Sequence, residues 1–221
     1  MSSLEQVTQP SVAVDRDRSR AIFGQTMGLV ALTCLVAGIG AYLGRNISHG
    51  WGMVAFIGAI GCVIGLNAAV RRSEQLAIGL LFGLGGFLGI GAAPALAYYA
   101  SVQPQALWQA AGTTALFIAG FGAFGYATRR DLSIVGRISF FALLGLIVFG
   151  LVMVFVSIPG GNVIYAVIGL VIFAGYTMYD FQRLRKAGQI ESAPLIAASI
   201  FLDIFNVFML LLSLFGGGGR S

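Results

Sequence analysis

The sequence predicts an all-α integral membrane protein, a bundle of seven transmembrane helices. Of its 221 residues 58% are apolar and only 10% charged, whereas soluble domains carry about 25% charged residues. The mean hydropathy is +0.91. Long stretches without any acid or base alternate with short segments in which the basic residues gather. That pattern is one of membrane spans separated by topology signals.

The elements follow in order. Residues 1–20 are polar and charged and are expected to form a disordered cytoplasmic tail. The apolar stretch 21–44 is too long for a signal-peptide core and has no persuasive cleavage site, so it is retained as the first span. Residues 52–70 form the second, each span being close to the ~20 residues that cross ~30 Å of hydrocarbon. The uncharged stretch 75–128 exceeds two spans and is divided at Ser101, Gln103, Pro104 and Gln105 into the third and fourth. Residues 138–179 are divided by Ser157, Pro159, Gly160, Gly161 and Asn162, giving the fifth span and most of the sixth, which ends near Gly188. Ser192, Ala193 and Pro194 resemble a helix N-cap with proline in the first turn, and the seventh span runs to Phe215. A membrane domain, 21–215, thus lies between the N-terminal tail and a short C-terminal tail, 216–221.

Charge sets the orientation. Arg16, Arg18, Arg20, Arg71, Arg72, Arg129, Arg130, Arg137, Arg183, Arg185 and Lys186 fall on one side, and Arg45 and Arg220 on the other. The positive-inside rule places the N-terminus in the cytoplasm and the C-terminus on the opposite face; a multi-pass protein of the inner (plasma) membrane is expected. The net charge of +5 is therefore a topology signal and not a nucleic-acid footprint. Cys34 and Cys62 lie inside spans, which argues for small buried apolar residues over disulfides or thiolate metal sites. His49, alone in a loop, is assigned no role, and Trp51, Trp108, Tyr42, Tyr98 and Tyr99 suit an interfacial aromatic belt. Glycine is abundant, with 32 residues, and the spacings Gly24/Gly28, Gly40/Gly44, Gly61/Gly65, Gly79/Gly83 and Gly85/Gly89 let backbones approach in lipid. Gly120, Gly122 and Gly125 spell a dinucleotide-binding pattern, but no strand precedes them, so helix packing explains them.

Two aspartates, Asp180 and Asp203, sit inside the sixth and seventh spans. An ionisable group at that depth costs about 2.5–3.5 kcal/mol on insertion scales, so it marks an internal site. Tyr176, Tyr179, Asp180 and Arg183 share one face of the sixth helix, and Ser199, Asp203, Asn206 and Ser213 form a stripe on the seventh. Counted from the hairpin between them, the aspartates lie about 12 and 15 Å deep, so their carboxyls can meet. Carboxylates that close cannot both ionise cheaply, and one proton should be shared, making the pair a pH sensor and a cation site. The alternative is structural: Asp180 pairs with Arg183 one turn on, and Asp203 is tied to a neighbouring helix. Arg71 or Arg72 can also lean in as a counter-ion from the end of the second helix. Lys186, the only lysine, lies in a loop, so no amine in the seventh helix is available for a retinal Schiff base.

Three stretches, residues 126–133 (YATRRDLS), 175–180 (GYTMYD) and 202–208 (LDIFNVF), make the chain resemble the Bax inhibitor family, the transmembrane Bax inhibitor motif proteins. The likeness extends over nearly all of the chain beyond the N-terminal tail, and Phe181 departs from a position where a small polar residue is common. The resemblance implies a seven-helix bundle with helix 7 central and surrounded by the other six. It also implies a pH-sensitive calcium leak governed by an aspartate pair matching Asp180 and Asp203. An arginine latch would match Arg72, with Arg71 adjacent. Other members imply binding of a membrane protein partner such as a protease.

The expected function is thus a non-enzymatic, pH-sensitive calcium leak. Calcium favours about 6–8 oxygens, so two carboxylates with carbonyls and water would bind it weakly, as a transported ion and not a cofactor. Tyr176, Tyr179, Asn206 and Ser199 would support the pair. The partners expected are the lipid bilayer, calcium or protons, with no nucleic acid. One alternative is a non-catalytic modulator of a membrane protease or stress-response complex. A remoter one is an intramembrane aspartyl protease, disfavoured because Ile200, Phe201 and Leu202 precede Asp203 where such enzymes carry glycines.

Overall fold

The structure, a computed structural model, describes residues 9–186 and 192–217, with 9–19 and 49 described by their backbone alone. Seven helices follow one another: α1 (Gln9–Leu43), α2 (His49–Ala69), α3 (Glu74–Val102), α4 (Pro104–Ala127), α5 (Ser133–Phe155), α6 (Gly161–Lys186) and α7 (Ala193–Gly217). All seven are long and apolar enough to cross a membrane, and no strand occurs among the described residues.

Local chemistry sets most boundaries. The Ser73 hydroxyl accepts from the Leu76 N–H at 3.4 Å and opens α3, while Pro104 occupies the first turn of α4, where a missing N–H costs nothing. Gly160, at φ +70°, turns the chain from α5 into α6, a conformation that side chains with a Cβ resist. At α7 the expected serine precedes the helix, but its hydroxyl is buried without a hydrogen-bond partner. Its carbonyl closes the first turn instead, accepting from Leu195 and Ile196 at 3.2 and 3.3 Å.

Two boundaries differ from expectation. The first helix starts at Gln9, within the segment expected to be a disordered tail. Pro10 suits a first turn and neither proline nor glycine interrupts residues 11–20, so helix continues into the span; residues 1–8 lie outside the described ones. Helix α5 begins at Ser133 and takes in Arg137, whose long stem can lie along apolar surface while its guanidinium reaches the interface. Helix α6 runs through Lys186, in line with an expected end near Gly188, which lies outside the described residues; Lys186, expected in a loop, sits with Arg183 and Arg185 on its last turn.

Helix α7 occupies the centre. Helices α1, α3, α4 and α6 pack along it and α2 touches it, whereas α5 packs on α6. In the most apolar stretch of α7 56% of residues are buried, against 11% for α5, so α5 is the helix most given over to lipid. The six outer helices form two wings, α1–α3–α2 and α4–α6–α5, flanking α7. Ile196, Ile200 and Leu212 of α7 and Leu81 and Leu84 of α3 all belong to the fully buried core. Trp51, Trp108 and Tyr98 are exposed at the end away from the basic segments, as an aromatic belt requires.

Lipid tails are as apolar as leucine, so helices associate in a membrane by close packing. On α3, Gly85 backs onto Thr33 and Gly89 onto the carbonyl of Ala37, seating α1; Gly40 of α1 meets the Gly86 carbonyl. The pair Gly24/Gly28 does not take part: both are exposed, with nothing for a Cβ to meet within 4 Å. The face of α1 turned inward there is that of Thr26, Leu29, Val30 and Thr33. In the glycine triplet of α4, Gly122 receives the ring of Phe181 and Gly125 lies against the backbone of Met178, while Gly120 is open.

This contrast yields a test. A Cβ at position 125 meets backbone that cannot move aside, so Gly125→Ala should cost about 1–3 kcal/mol, as overpacking does. It should lower the thermal midpoint of the detergent-solubilised protein by several degrees. Gly120→Ala, facing open space on the same helix, should leave the midpoint unchanged; equal effects of the two would refute the packing assignment.

Candidate functional site

Both aspartates are buried at 3% exposure, Asp180 on α6 and Asp203 on α7. The helices pack on each other and bring the carboxyls within electrostatic reach of one another. At 1.5 Å per residue Asp180 lies about 9 Å from the end of α6 and Asp203 about 15 Å from the start of α7. The pair is thus nearer the basic end of the bundle.

The cation at this site is Arg183. Its Nη1 donates to Asp180 Oδ1 at 2.6 Å and to the Ser199 hydroxyl of α7 at 3.3 Å. Its charge also reaches Asp203, and its guanidinium lies 5.5 Å from the centre of the Tyr179 ring. The Asp180 side chain is 4% exposed and that of Arg183 is 24% exposed. Arg183 therefore ties α6 to α7 from a position open to the interface. The ion pair one turn along α6 and the aspartate pair, weighed as alternatives from the sequence, coexist in one cluster.

Other expected members are placed as follows. Tyr176 is half-buried within electrostatic reach of both aspartates. Asn206 turns to its own helix, donating to the Leu202 carbonyl at 2.8 Å, and Ser213 is exposed and bonded to the Leu210 carbonyl. Arg71 and Arg72 lie in the exposed turn after α2 and make no ion pair among the described residues. The cation paired with Asp180 is Arg183, from the same helix. His49 begins α2, and its side chain lies outside what is described.

Two residues were not singled out in the sequence. Thr177, fully buried, lies beside Asp203, its hydroxyl close enough to act on that carboxyl. Its place one turn before Asp180 is the signal that could have found it. The second is Gln182, buried at 2%. Its Nε2 donates to the Arg130 carbonyl at 2.6 Å and its Oε1 accepts from the Leu132 N–H at 2.9 Å. Arg185 donates to the Tyr126 carbonyl at the end of α4, at 2.8 Å, and Lys186 lies 3.6 Å from Asp131. The hydroxyl and N–H of Ser133 hold the Asp131 carboxyl below the ordinary range, with Lys186 adding to the effect. The last turn of α6 is thereby fastened to the 128–132 loop.

Among the described residues no group of three or more His, Cys, Asp or Glu side chains converges as a metal cluster. A cavity of about 300 Å³ opens at the basic end between α1, α3 and the start of α7, beside Gln25 and Glu74, which are joined by a 2.9 Å hydrogen bond. Neither aspartate lines it.

A family profile described as "Inhibitor of apoptosis-promoting Bax1" matches residues 19–220. A Helicobacter pylori protein is 30% identical over 197 residues, covering 86% of this chain and 84% of the relative. The YrjE protein of Lactococcus lactis is 29% identical over 178 residues, 76% and 75% of the two chains. The inner membrane protein YbhL of Escherichia coli is 36% identical over 109 residues, 43% of this chain and 47% of that one. With seven membrane-spanning helices and a profile match over nearly its whole length, the chain belongs to the Bax inhibitor family of multi-pass membrane proteins.

Proposed function

We propose that this protein is a pH-sensitive calcium leak of the inner membrane, oriented with its basic end in the cytoplasm and gated by Asp180 and Asp203. One observation carries the reading: two carboxyls on neighbouring helices are buried at membrane depth, with an arginine reaching across from one helix to the other. Isolated structural charges would not need such convergence.

The chemistry follows from charge balance. With both carboxyls ionised, Arg183 neutralises one unit and leaves one in a low-dielectric setting, which favours a proton or cation. Protonation weakens the hold of Arg183 on Asp180; ionisation creates oxygen ligands. Asp203 and the neighbouring Thr177 hydroxyl supply oxygens beside the carboxyl cluster. Too few protein oxygens are present to hold calcium tightly, since it takes about 6–8, and weak binding suits conduction. The cavity beside Glu74 would serve as a cytoplasmic antechamber on the path to the aspartates, neither of which lines it. Buried Ile200 and Phe201 fill the turn before Asp203, which supports a non-catalytic role over peptide hydrolysis.

Two measurements test this. Calcium entry into proteoliposomes should vary with pH across the neutral range for the native protein and lose that variation in Asp203→Asn. Flux no greater than in protein-free vesicles, or a variant with the full native response, would defeat the reading. Arg183→Gln should strand a buried carboxylate and cost on the order of 3 kcal/mol, as broken buried pairs do. Arg183→Gln/Asp180→Asn should recover most of that loss in thermal denaturation. A double variant no more stable than the single one would remove Arg183 from its latch role.

A further inference from the structure

Helices α4 and α5 both lean on α6 and leave a fissure between them. It has a volume of about 550 Å³ and is walled by Phe117 and Phe121 of α4, Ile138 and Ala142 of α5, and Leu170 and Met178 of α6. A second hollow of about 370 Å³ shares Phe117, Phe121 and Met178 and continues over α4 toward Phe124. Each is within the ~300–1,000 Å³ usual for small-ligand sites. From Phe124 to Phe117 the wall lies about 5–15 Å from the end of α4, so the fissure occupies one leaflet of a ~30 Å core.

What stands over the fissure is charged. The 128–132 loop, which joins its two walls, carries Arg129 and Arg130, both exposed and in no ion pair among the described residues. Gln182 holds the Arg130 and Leu132 backbone groups, so this loop is fixed over the opening. The one acid there, Asp131, is engaged by Ser133 and Lys186. Arg137 is also exposed, but at about 100° per residue it lies on the side of α5 away from Val135, Ile138, Ser139 and Ala142, which line the fissure.

We propose that this fissure is a seat for an anionic phospholipid, its acyl chains between α4 and α5 and its phosphate on Arg129 and Arg130. Any lipid tail can fill an apolar groove in a bilayer, so the chains give depth without selectivity. Selectivity comes from the two arginines, because basic sites at helix ends facing the basic side of a membrane protein attract acidic headgroups. The geometry requires a diacyl lipid of the leaflet next to the basic end; a soluble phosphate would have the loop but not the fissure.

The test is native mass spectrometry of the full chain with phosphatidylglycerol and phosphatidylcholine in equal amounts. The native protein should retain one phosphatidylglycerol with a preference of about tenfold or more, each basic residue near the surface contributing roughly fivefold. Arg129→Gln/Arg130→Gln should reduce that preference to within about twofold, while Arg137→Gln, equal in charge per site but off the fissure, should keep it. Ala142→Trp, filling the fissure, should displace lipid of both kinds. Equal retention of the two lipids by the native protein would overturn the seat, as would an unchanged preference in the double variant. A loss in Arg137→Gln as large as in the double variant would do the same, since it would reduce the effect to overall surface charge.

Discussion

Everything at the centre of this protein answers to the cost of holding carboxylates in a medium that does not solvate them. A single buried charge left without a partner costs several kcal/mol, a large fraction of the ~5–15 kcal/mol by which folded proteins are stable. Arg183 meets that demand for Asp180 directly and for Asp203 at longer range. Because its second hydrogen bond goes to Ser199, the same side chain sets the register between α6 and α7. The central position of α7 has the same origin. A helix carrying Asp203 must be walled off from lipid, and four helices packed along it with a fifth touching achieve that.

The two wings solve the packing problem differently. On one side α1 and α3 approach through Gly40, Gly85 and Gly89 until backbone meets backbone. On the other, α4 reaches α6 through Gly122 and Gly125, while α5 packs on α6 and opens a fissure toward α4. Hydrophobicity does not distinguish these cases in a bilayer, since every exposed leucine is already in an apolar solvent. What distinguishes them is whether small residues permit contact along the whole interface. Phe181, a bulky residue beside a critical aspartate, is accommodated because Gly122 leaves room for its ring.

The seven spans were legible because length and hydropathy are local properties, and polar or charged segments mark most of the places where the chain turns. Legible too was the shared face of Tyr176, Asp180 and Arg183, which follows from helical spacing. Less visible was how far a side chain reaches: position alone makes Arg71 and Arg72 counter-ion candidates beside Arg183, because sequence gives a residue's depth and not the direction of its stem. Gly24 and Gly28 had the spacing of a packing motif, yet the rotation of α1 turns them outward. Gln182 gave no sign at all. Among arginines on a basic helix end it looks like one more solvated residue, and only the fold brings the Arg130 and Leu132 backbone to it.

One turn of α6 does two mechanical jobs. Gln182 and Arg185 grip the loop and the end of α4, while Arg183, between them in sequence, grips Asp180 and Ser199 of α7. These residues ride on a common rigid backbone, so the turn behaves as a rocker with a load on each side. A rotation that withdraws Arg183 from the carboxyl must strain the grip on the loop, and a pull on the loop must be felt at the carboxyl. Chemistry in the interior and events at the membrane surface are thereby placed on opposite arms of one lever.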